Sequence, residues 1–88
     1  MTAFRTDAGA ELYGWAREAF RTPAIAAVVL ELGDEQRQLV TRVFGLDGRG
    51  KDSVRRIAYE RRAHRSQVES ELRAAIVAVR RAALVRVA

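Results

Sequence analysis

The apolar residues of this chain recur at the three- and four-residue spacing of helices, and five helices account for them. The first helix is capped by Thr6 or Asp7 and runs to about Phe20. The second runs from Pro23, a residue tolerated at the first helical position, to Leu32. Because the second helix is apolar on nearly every side, we expect it to lie at the centre of the fold.

Glycines and capping residues set the bounds of the next two helices. Gly33 ends the second helix, Asp34 caps the third, and Gly45 stops it. A glycine-rich loop follows, and either Asp52 or Ser53 caps the fourth helix. These segments leave no strand, so the sequence predicts an all-α fold with about five helices.

The turn Arg61–His64 separates the fourth helix from a long fifth helix, which runs from near Arg65 to about Val87. A short helix, a turn of about four residues and a longer helix form the helix-turn-helix arrangement. Arg62 occupies the place at which such a turn often has glycine, and an ordinary αα-hairpin with the same spacing is the alternative. We expect one core to be shared by the inward positions Phe44, Ile57, Val68, Leu72 and Ile76.

Charge is distributed unevenly along the 88 residues, whose net charge is +5. Residues 1–48 hold 5 arginines against 7 acids, a net −2, whereas residues 49–88 hold 11 basic residues against 4 acids, a net +7. This division favours a first half that packs and a second half that faces a polyanion. The alternative is that arginine only solvates the helices of a chain that has a single lysine.

Composition argues against catalysis and metal binding. The chain has no cysteine and one histidine, so it offers no disulfide, no thiolate nucleophile and no ordinary histidine metal cluster. We expect His64 to be a turn or N-cap residue. The prediction is a non-enzymatic protein with no cofactor, no metal and no small-molecule substrate.

The size and the apolar runs of the chain bear on its organisation and location. A chain of this length buries only about 60% of its unfolded surface, so residues 1–88 are expected to form a single domain. No apolar run approaches the roughly 18 residues of a membrane span. Charged residues interrupt the first 20 residues, which is unlike a signal peptide. We therefore expect a cytoplasmic protein without a membrane partner.

A short string in the middle of the chain resembles a known family. Phe44-Gly45-Leu46-Asp47-Gly48 lies nine residues before Ile57-Ala58, and it resembles the F-G-L-D-G string in region 4 of the sigma-70 family. Ser53–Ala58 is similar to that family's T-L-E-E-I-G segment, and His64–Val68 to its S-R-E-R-V segment. Region 4 is the C-terminal domain of bacterial sigma factors that reads the −35 promoter element. The resemblance covers about residues 30–81, so residues 33–88 form the sigma region 4-like segment and residues 1–32 supply additional N-terminal helices.

The resemblance carries some recognition residues over and not others. Arg65 matches the family's first DNA-contacting arginine. Glu69 stands in place of the second, and Ser66 and Ser70 replace the family's glutamate and glutamine. An acidic residue therefore replaces a basic one on the side that would face DNA, and recognition of the −35 promoter element is expected to be altered.

Two further departures fall at core positions of the family. Arg61 stands where the family has a leucine, and Glu71 where it has an isoleucine. Nothing in the chain resembles sigma regions 2 or 3, so it is not expected to melt a promoter.

The fifth helix is the candidate recognition helix, because an α-helix fits the major groove and its first turns reach base edges. Arg65 and Arg73 suit guanine, Gln67 suits adenine, and Glu69 suits the amino group of cytosine. The spacing from Ser66 to Glu69 is also that of a capping box, which would remove Glu69 from base contact. The expected base-facing set is Arg65, Ser66, Gln67, Glu69, Ser70 and Arg73, and the expected phosphate-facing set is Lys51, Ser53, Arg55 and Arg56.

A second apolar stripe lies near the end of the fifth helix. The inward stripe of this helix is predicted to be Val68, Leu72, Ala75, Ile76, Val79 and Ala83. Val77, Leu84 and Val85 point away from that stripe and need a cover. That cover is either the first helix, through Trp15 and Phe20, or a second subunit. We expect a homodimer with Val77, Leu84, Val85 and Trp15 at the interface, which would read an inverted repeat.

Two functions follow from these patterns. The first is a small, nucleoid-associated transcriptional regulator that binds double-stranded DNA, and the resemblance adds contact with RNA polymerase, which region 4 makes through the flap of the β subunit. The second is a protein-interaction module that keeps the region 4 scaffold without sequence-specific DNA binding. The partner of such a module would be polymerase, an anti-sigma-like protein or a second copy.

Overall fold

A computed structural model describes the backbone of residues 2–87 and the side chains of residues 11–85. Within that part of the chain there are five helices and no strand. Their bounds are α1 (Thr2–Ala19), α2 (Pro23–Val29), α3 (Asp34–Phe44), α4 (Val54–Arg61) and α5 (Arg65–Val87). The predicted all-α fold with about five helices is confirmed. None of the helices, over the described residues, combines the length and apolar content that a membrane span requires.

The first helix begins earlier than the sequence predicted. α1 starts at Thr2, so the backbone of Thr6 and Asp7 lies inside the helix and neither residue can be its N-cap. The side chains of both lie outside the described residues. After α1, the Thr22 hydroxyl donates to the carbonyl of Ala19 at 2.7 Å, and Pro23 then opens α2.

The bounds of α2 and α3 also differ by a few residues from the prediction. α2 ends at Val29, because the amides of Glu31 and Leu32 donate to carbonyls three residues back in tight turns. Gly33 is the N-cap of α3, while Asp34 is its first helical residue and pairs with Arg37 at 2.7 Å. Asp34 therefore stabilises the first turn as a charge near the helix N-terminus, and not as a cap.

The central helix is α5, whereas the sequence predicted α2. The most extensive helix–helix contacts pair α5 with each of α1, α2, α3 and α4. All six inward positions of the predicted α5 stripe are buried: Val68, Leu72, Ala75, Ile76, Val79 and Ala83. α2 buries Val28 and Val29 but leaves Leu30, its C-cap residue, 68% exposed, because so short a helix presents only one face to the core.

The predicted core is confirmed. Ile57, Val68, Leu72 and Ile76 are at most 1% exposed and belong to one apolar cluster, and Phe44 packs against its edge. Aromatic rings connect this core to the N-terminal helix. Phe20 lies edge-on between Phe44 and Trp15, with ring centroids 5.0 Å and 5.9 Å away, a geometry that aromatic pairs prefer.

The glycine-rich loop begins with a residue that must be glycine. Gly45 has a φ of 67°, a left-handed conformation that ends α3, and its amide donates to the carbonyl of Thr41. A Cβ atom at Gly45 would lie 3.2 Å from the backbone of Gly50. The first glycine of the sigma-like string is therefore required by its backbone angle and by the close return of the loop.

We expect Val68→Asp to abolish the cooperative thermal transition. The substitution places an unpaired carboxylate at a site that is 1% exposed, a change that costs about 3–5 kcal/mol. Such a loss is most of the stability of a small domain. Leu30→Asp is the matched control, since this leucine is 68% exposed, and it should melt like wild type. A wild-type-like transition for Val68→Asp, followed by circular dichroism, would contradict the described core.

Candidate nucleic-acid interface

The turn between α4 and α5 reverses the chain through backbone hydrogen bonds. Arg62 adopts φ 55° and ψ 40°, and its amide donates to the carbonyls of Ala58 and Tyr59. The amide of Ala63 then donates to the carbonyl of Ala58 at 3.0 Å. A left-handed residue followed by this long return bond is the Schellman ending of a helix. Ala63 is partly buried and packs against the core, so the inner side of the turn is covered by apolar contacts.

α5 begins with a reciprocal cap. The Gln67 side-chain oxygen accepts from the amide of His64 at 3.2 Å, and the Gln67 amide donates to the His64 carbonyl at 3.0 Å. His64 is therefore a turn and N-cap residue, as predicted. The predicted capping box at Ser66 and Glu69 is wrong, because the helix begins at Arg65 and its third position is Gln67.

Three of the six expected base-facing residues are exposed and available. Ser66, Ser70 and Arg73 face solvent at the four- and three-residue spacing of one helix face. Their side chains make no hydrogen bond or ion pair with the described residues. The other three are engaged: Gln67 caps the helix, while the Arg65 guanidinium lies 2.9 Å from the Glu69 carboxylate.

The expected phosphate-facing residues also divide into two groups. Ser53 caps α4, since its hydroxyl oxygen accepts from the amide of Arg56 at 3.1 Å. The Arg56 guanidinium lies 3.9 Å from Asp52 and 3.7 Å from Glu60. Lys51 and Arg55 are exposed and form no ion pair with the described residues. Ser53 and Arg56 thus stabilise the start of α4, while Lys51 and Arg55 are available to a partner.

Arg42 joins α3 to both ends of α4, a role that the sequence analysis did not anticipate. Its guanidinium lies 2.8 Å from Glu60 and 2.9 Å from Asp52. The hydrogen bonds that Arg42 donates to Glu60 and, to a smaller extent, to Asp52 raise the pKa of Arg42 above its ordinary value. The amide of Asp52 also donates to the Arg42 carbonyl at 2.8 Å, so backbone and side chain hold the loop against α3.

The two departures from the family's core positions lie together in space. The Arg61 guanidinium lies 3.5 Å from the Glu71 carboxylate, across the contact between α4 and α5. Both side chains are half-buried, and Arg61 also donates to the carbonyl of Glu35 at 3.5 Å. An ion pair therefore occupies the place where two apolar side chains would meet.

Ion pairing leaves the second half of the chain with a surplus of free cations. Its four acids, Asp52, Glu60, Glu69 and Glu71, all form ion pairs. Six of its basic residues form none with the described part of the chain: Arg49, Lys51, Arg55, Arg62, Arg73 and Arg81. These six cations are exposed, and unpaired cations are available to a polyanion.

The apolar residues expected at a subunit interface are only partly covered. Val77 packs against the core, so the prediction that it points away is wrong. Leu84 is 63% and Val85 77% exposed. Trp15 lies beside Leu84 in an open cleft of about 330 Å³ between α1, α2 and α5, with the Arg80 guanidinium 5.7 Å from its ring centre. α1 thus covers one side of this stripe and leaves the other exposed.

Comparison with protein-family models, curated proteins and solved structures finds no match to this chain. Among the described residues, no group of three or more histidine, cysteine, aspartate or glutamate side chains is arranged to hold a metal ion. No buried side-chain nitrogen or oxygen in that part of the chain lacks a hydrogen-bond partner. The features that remain for function are the exposed cations and polar residues around the turn.

We expect the double substitution Arg61→Leu and Glu71→Ile to be at least as stable as wild type. A half-buried ion pair contributes little net free energy, and apolar side chains of similar volume can replace it. Each single substitution leaves one charge without its partner and should cost about 1–2 kcal/mol. Urea unfolding of the four proteins measures the coupling, and single effects that simply add in the double variant would show that the two residues do not interact.

Proposed function

We propose that this chain is a helix-turn-helix protein that binds double-stranded DNA and regulates transcription without catalysis. The observation that carries the proposal is the charge remaining around the turn. The acids of the second half are engaged in ion pairs, whereas Arg55, Arg62 and Arg73 are exposed and unpaired. Unpaired cations on two adjacent helices attract the phosphate backbone, which supplies most of the affinity of such proteins.

In this proposal the first turns of α5 enter the major groove. Ser66, Ser70 and Arg73 form the exposed face that reads base edges, with Arg73 suited to the O6 and N7 atoms of guanine. Arg65 joins them once its ion pair with Glu69 is broken. That exposed ion pair is worth about 0–1 kcal/mol. Lys51 and Arg55 contact phosphate and fix the register without reading sequence.

The sigma region 4 resemblance extends the proposal to the transcription machinery. A protein of this kind regulates either by occupying DNA alone or by contacting RNA polymerase as well, and it acts at the nucleoid. The described fold supports this reading in its helix order, in the left-handed Gly45 of the sigma-like string and in the three-residue turn before α5.

A second candidate function is that of a protein-interaction module on the same scaffold. The specific observation in its favour is that Glu69 holds Arg65, the one residue that matches a DNA-contacting arginine of the family. The exposed Leu84 and Val85 would then supply the contact surface. Its partner would be polymerase, an anti-sigma-like protein or a second copy of this chain.

Duplex binding is the first test of the proposal. We expect wild-type chain to bind random duplex with a log–log salt slope near −4 to −5, as neutralising about five phosphates requires. Arg73→Ala should weaken binding to a selected site about 5- to 100-fold, the effect of losing a bidentate base contact. Glu69→Gln should tighten binding to all duplexes, because it removes a negative charge and frees Arg65.

Arg37→Ala is the control, since this α3 arginine is engaged in an ion pair with Asp34. Wild-type chain that binds no duplex at 50 mM salt, while it still melts cooperatively, would reject the DNA proposal in favour of the interaction module.

We further propose that the chain forms a homodimer through Leu84 and Val85 beside the Trp15 cleft. Covering each large apolar side chain contributes about 1.5–3 kcal/mol. Sedimentation equilibrium of wild type should therefore give about twice the 9.8 kDa chain mass at high micromolar concentration. Leu84→Glu should give the monomer mass with an unchanged helical spectrum, and a wild type that stays monomeric would contradict the dimer.

A further inference from the structure

Arg62 holds a backbone conformation that its side chain disfavours. It is the only residue other than glycine with a positive φ among the described residues. In that left-handed region the Cβ atom of an L-residue is strained, whereas glycine adopts the same angles freely. The hydrogen bonds of the turn come from backbone amides and carbonyls, which a glycine at this position would also supply.

The Arg62 side chain makes no contact that offsets this strain. It is exposed, and its guanidinium makes no hydrogen bond or ion pair with the described residues. Strain that is retained without a structural benefit points to a functional role for the side chain.

Two neighbours of Arg62 on α4 share this lack of partners. Tyr59 is 86% exposed, the highest exposure of any large apolar side chain described, and its hydroxyl has no partner among the described residues. Arg55 is exposed and unpaired as well. Arg55 and Tyr59 are four residues apart and lie on one face of α4, and Arg62 follows at the C-terminal end of the helix. We call these three residues the α4 strip.

We propose that the α4 strip binds the DNA phosphate backbone, with Arg62 and Arg55 contacting separate phosphates and the Tyr59 hydroxyl donating to one of them. This inference rests on the proposed DNA binding and deepens it. In helix-turn-helix complexes the first helix of the motif crosses the DNA backbone, which is the position of α4 here. Guanidinium and phenol groups both donate to phosphate oxygens.

The spacing within the strip fits more than one phosphate. Arg55 and Arg62 are seven residues apart, which is about 10 Å along a helix axis. The strip also replaces half of the phosphate-facing set expected from the sequence, because Arg56 pairs with Asp52 and Glu60 and Ser53 caps the helix. Of the expected phosphate-facing residues, Lys51 and Arg55 therefore remain available, and Tyr59 and Arg62 add two further contacts.

The test uses Arg62→Gly, a variant for which the proposal predicts opposite effects on stability and on binding. Its Tm should rise by about 4 °C, because the strain is relieved. Its affinity for both a selected site and random duplex should fall about three- to tenfold, with the salt slope reduced by about 1. Arg62→Lys, which keeps the charge and the strain, should retain most of the binding and the wild-type Tm. Tyr59→Phe should weaken both duplexes alike without changing the Tm.

Arg17→Ala is the matched control, since Arg17 is an exposed arginine on α1 that forms no ion pair with the described residues. Suppose that Arg62→Gly binds duplex like wild type or like Arg17→Ala, while Arg73→Ala still weakens binding to the selected site. Phosphate binding by the α4 strip is then wrong, and the proposed function stands. Wild-type chain that binds no duplex overturns both. Binding of polyglutamate with the affinity and salt slope of duplex would overturn phosphate as the ligand.

Discussion

The buried face of α5 is the surface on which the other four helices assemble. Val68, Leu72, Ile76 and Val79 are at most 1% exposed, and burial of each large side chain contributes about 1.5–3 kcal/mol. The exposed face of the same helix begins with Ser66, so the core and the proposed recognition surface share one backbone. The side chains that would read DNA are therefore positioned by the core and can differ without loss of the fold.

The ion pairs fix the relative positions of the helices around this core more than they contribute to its stability. Partly buried pairs contribute little net free energy because desolvation offsets their attraction, so the contacts of Arg42 with Asp52 and Glu60 mainly fix how α4 lies against α3. The same pairing has an electrostatic consequence. The carboxylates in these pairs are engaged, and six basic residues of the second half remain unpaired within the described part of the chain.

The periodic features of the fold were predictable from the sequence, because apolar residues recur on the buried face of a long amphipathic helix over several turns. The α5 stripe, the His64 turn and the Gly45 helix end were all predicted, and the structure has them. The end of α2 was not, because the bounds of a short helix depend on neighbouring packing more than on its own residues.

The region of the candidate site was predictable from the sequence, but most of its individual side-chain contacts were not. The pairing of Arg65 with Glu69 follows from four-residue spacing and was open to prediction. Arg61 and Glu71 are ten residues apart and lie on different helices, so sequence spacing gives no signal for their pairing. Arg62 was noted as an unusual residue for its turn, but only its backbone angles show that the position is strained.

The chemical nature of the unpaired cations has a consequence of its own. Five of the six around the second half are arginines, and Lys51 is the only lysine in the chain. A guanidinium keeps its proton far above neutral pH, and it is not a target for the acetylation that neutralises lysine. The surface charge of this protein is thus nearly constant across physiological pH and insensitive to lysine acylation, which leaves ionic strength as the main environmental variable that can weaken its attraction for a polyanion.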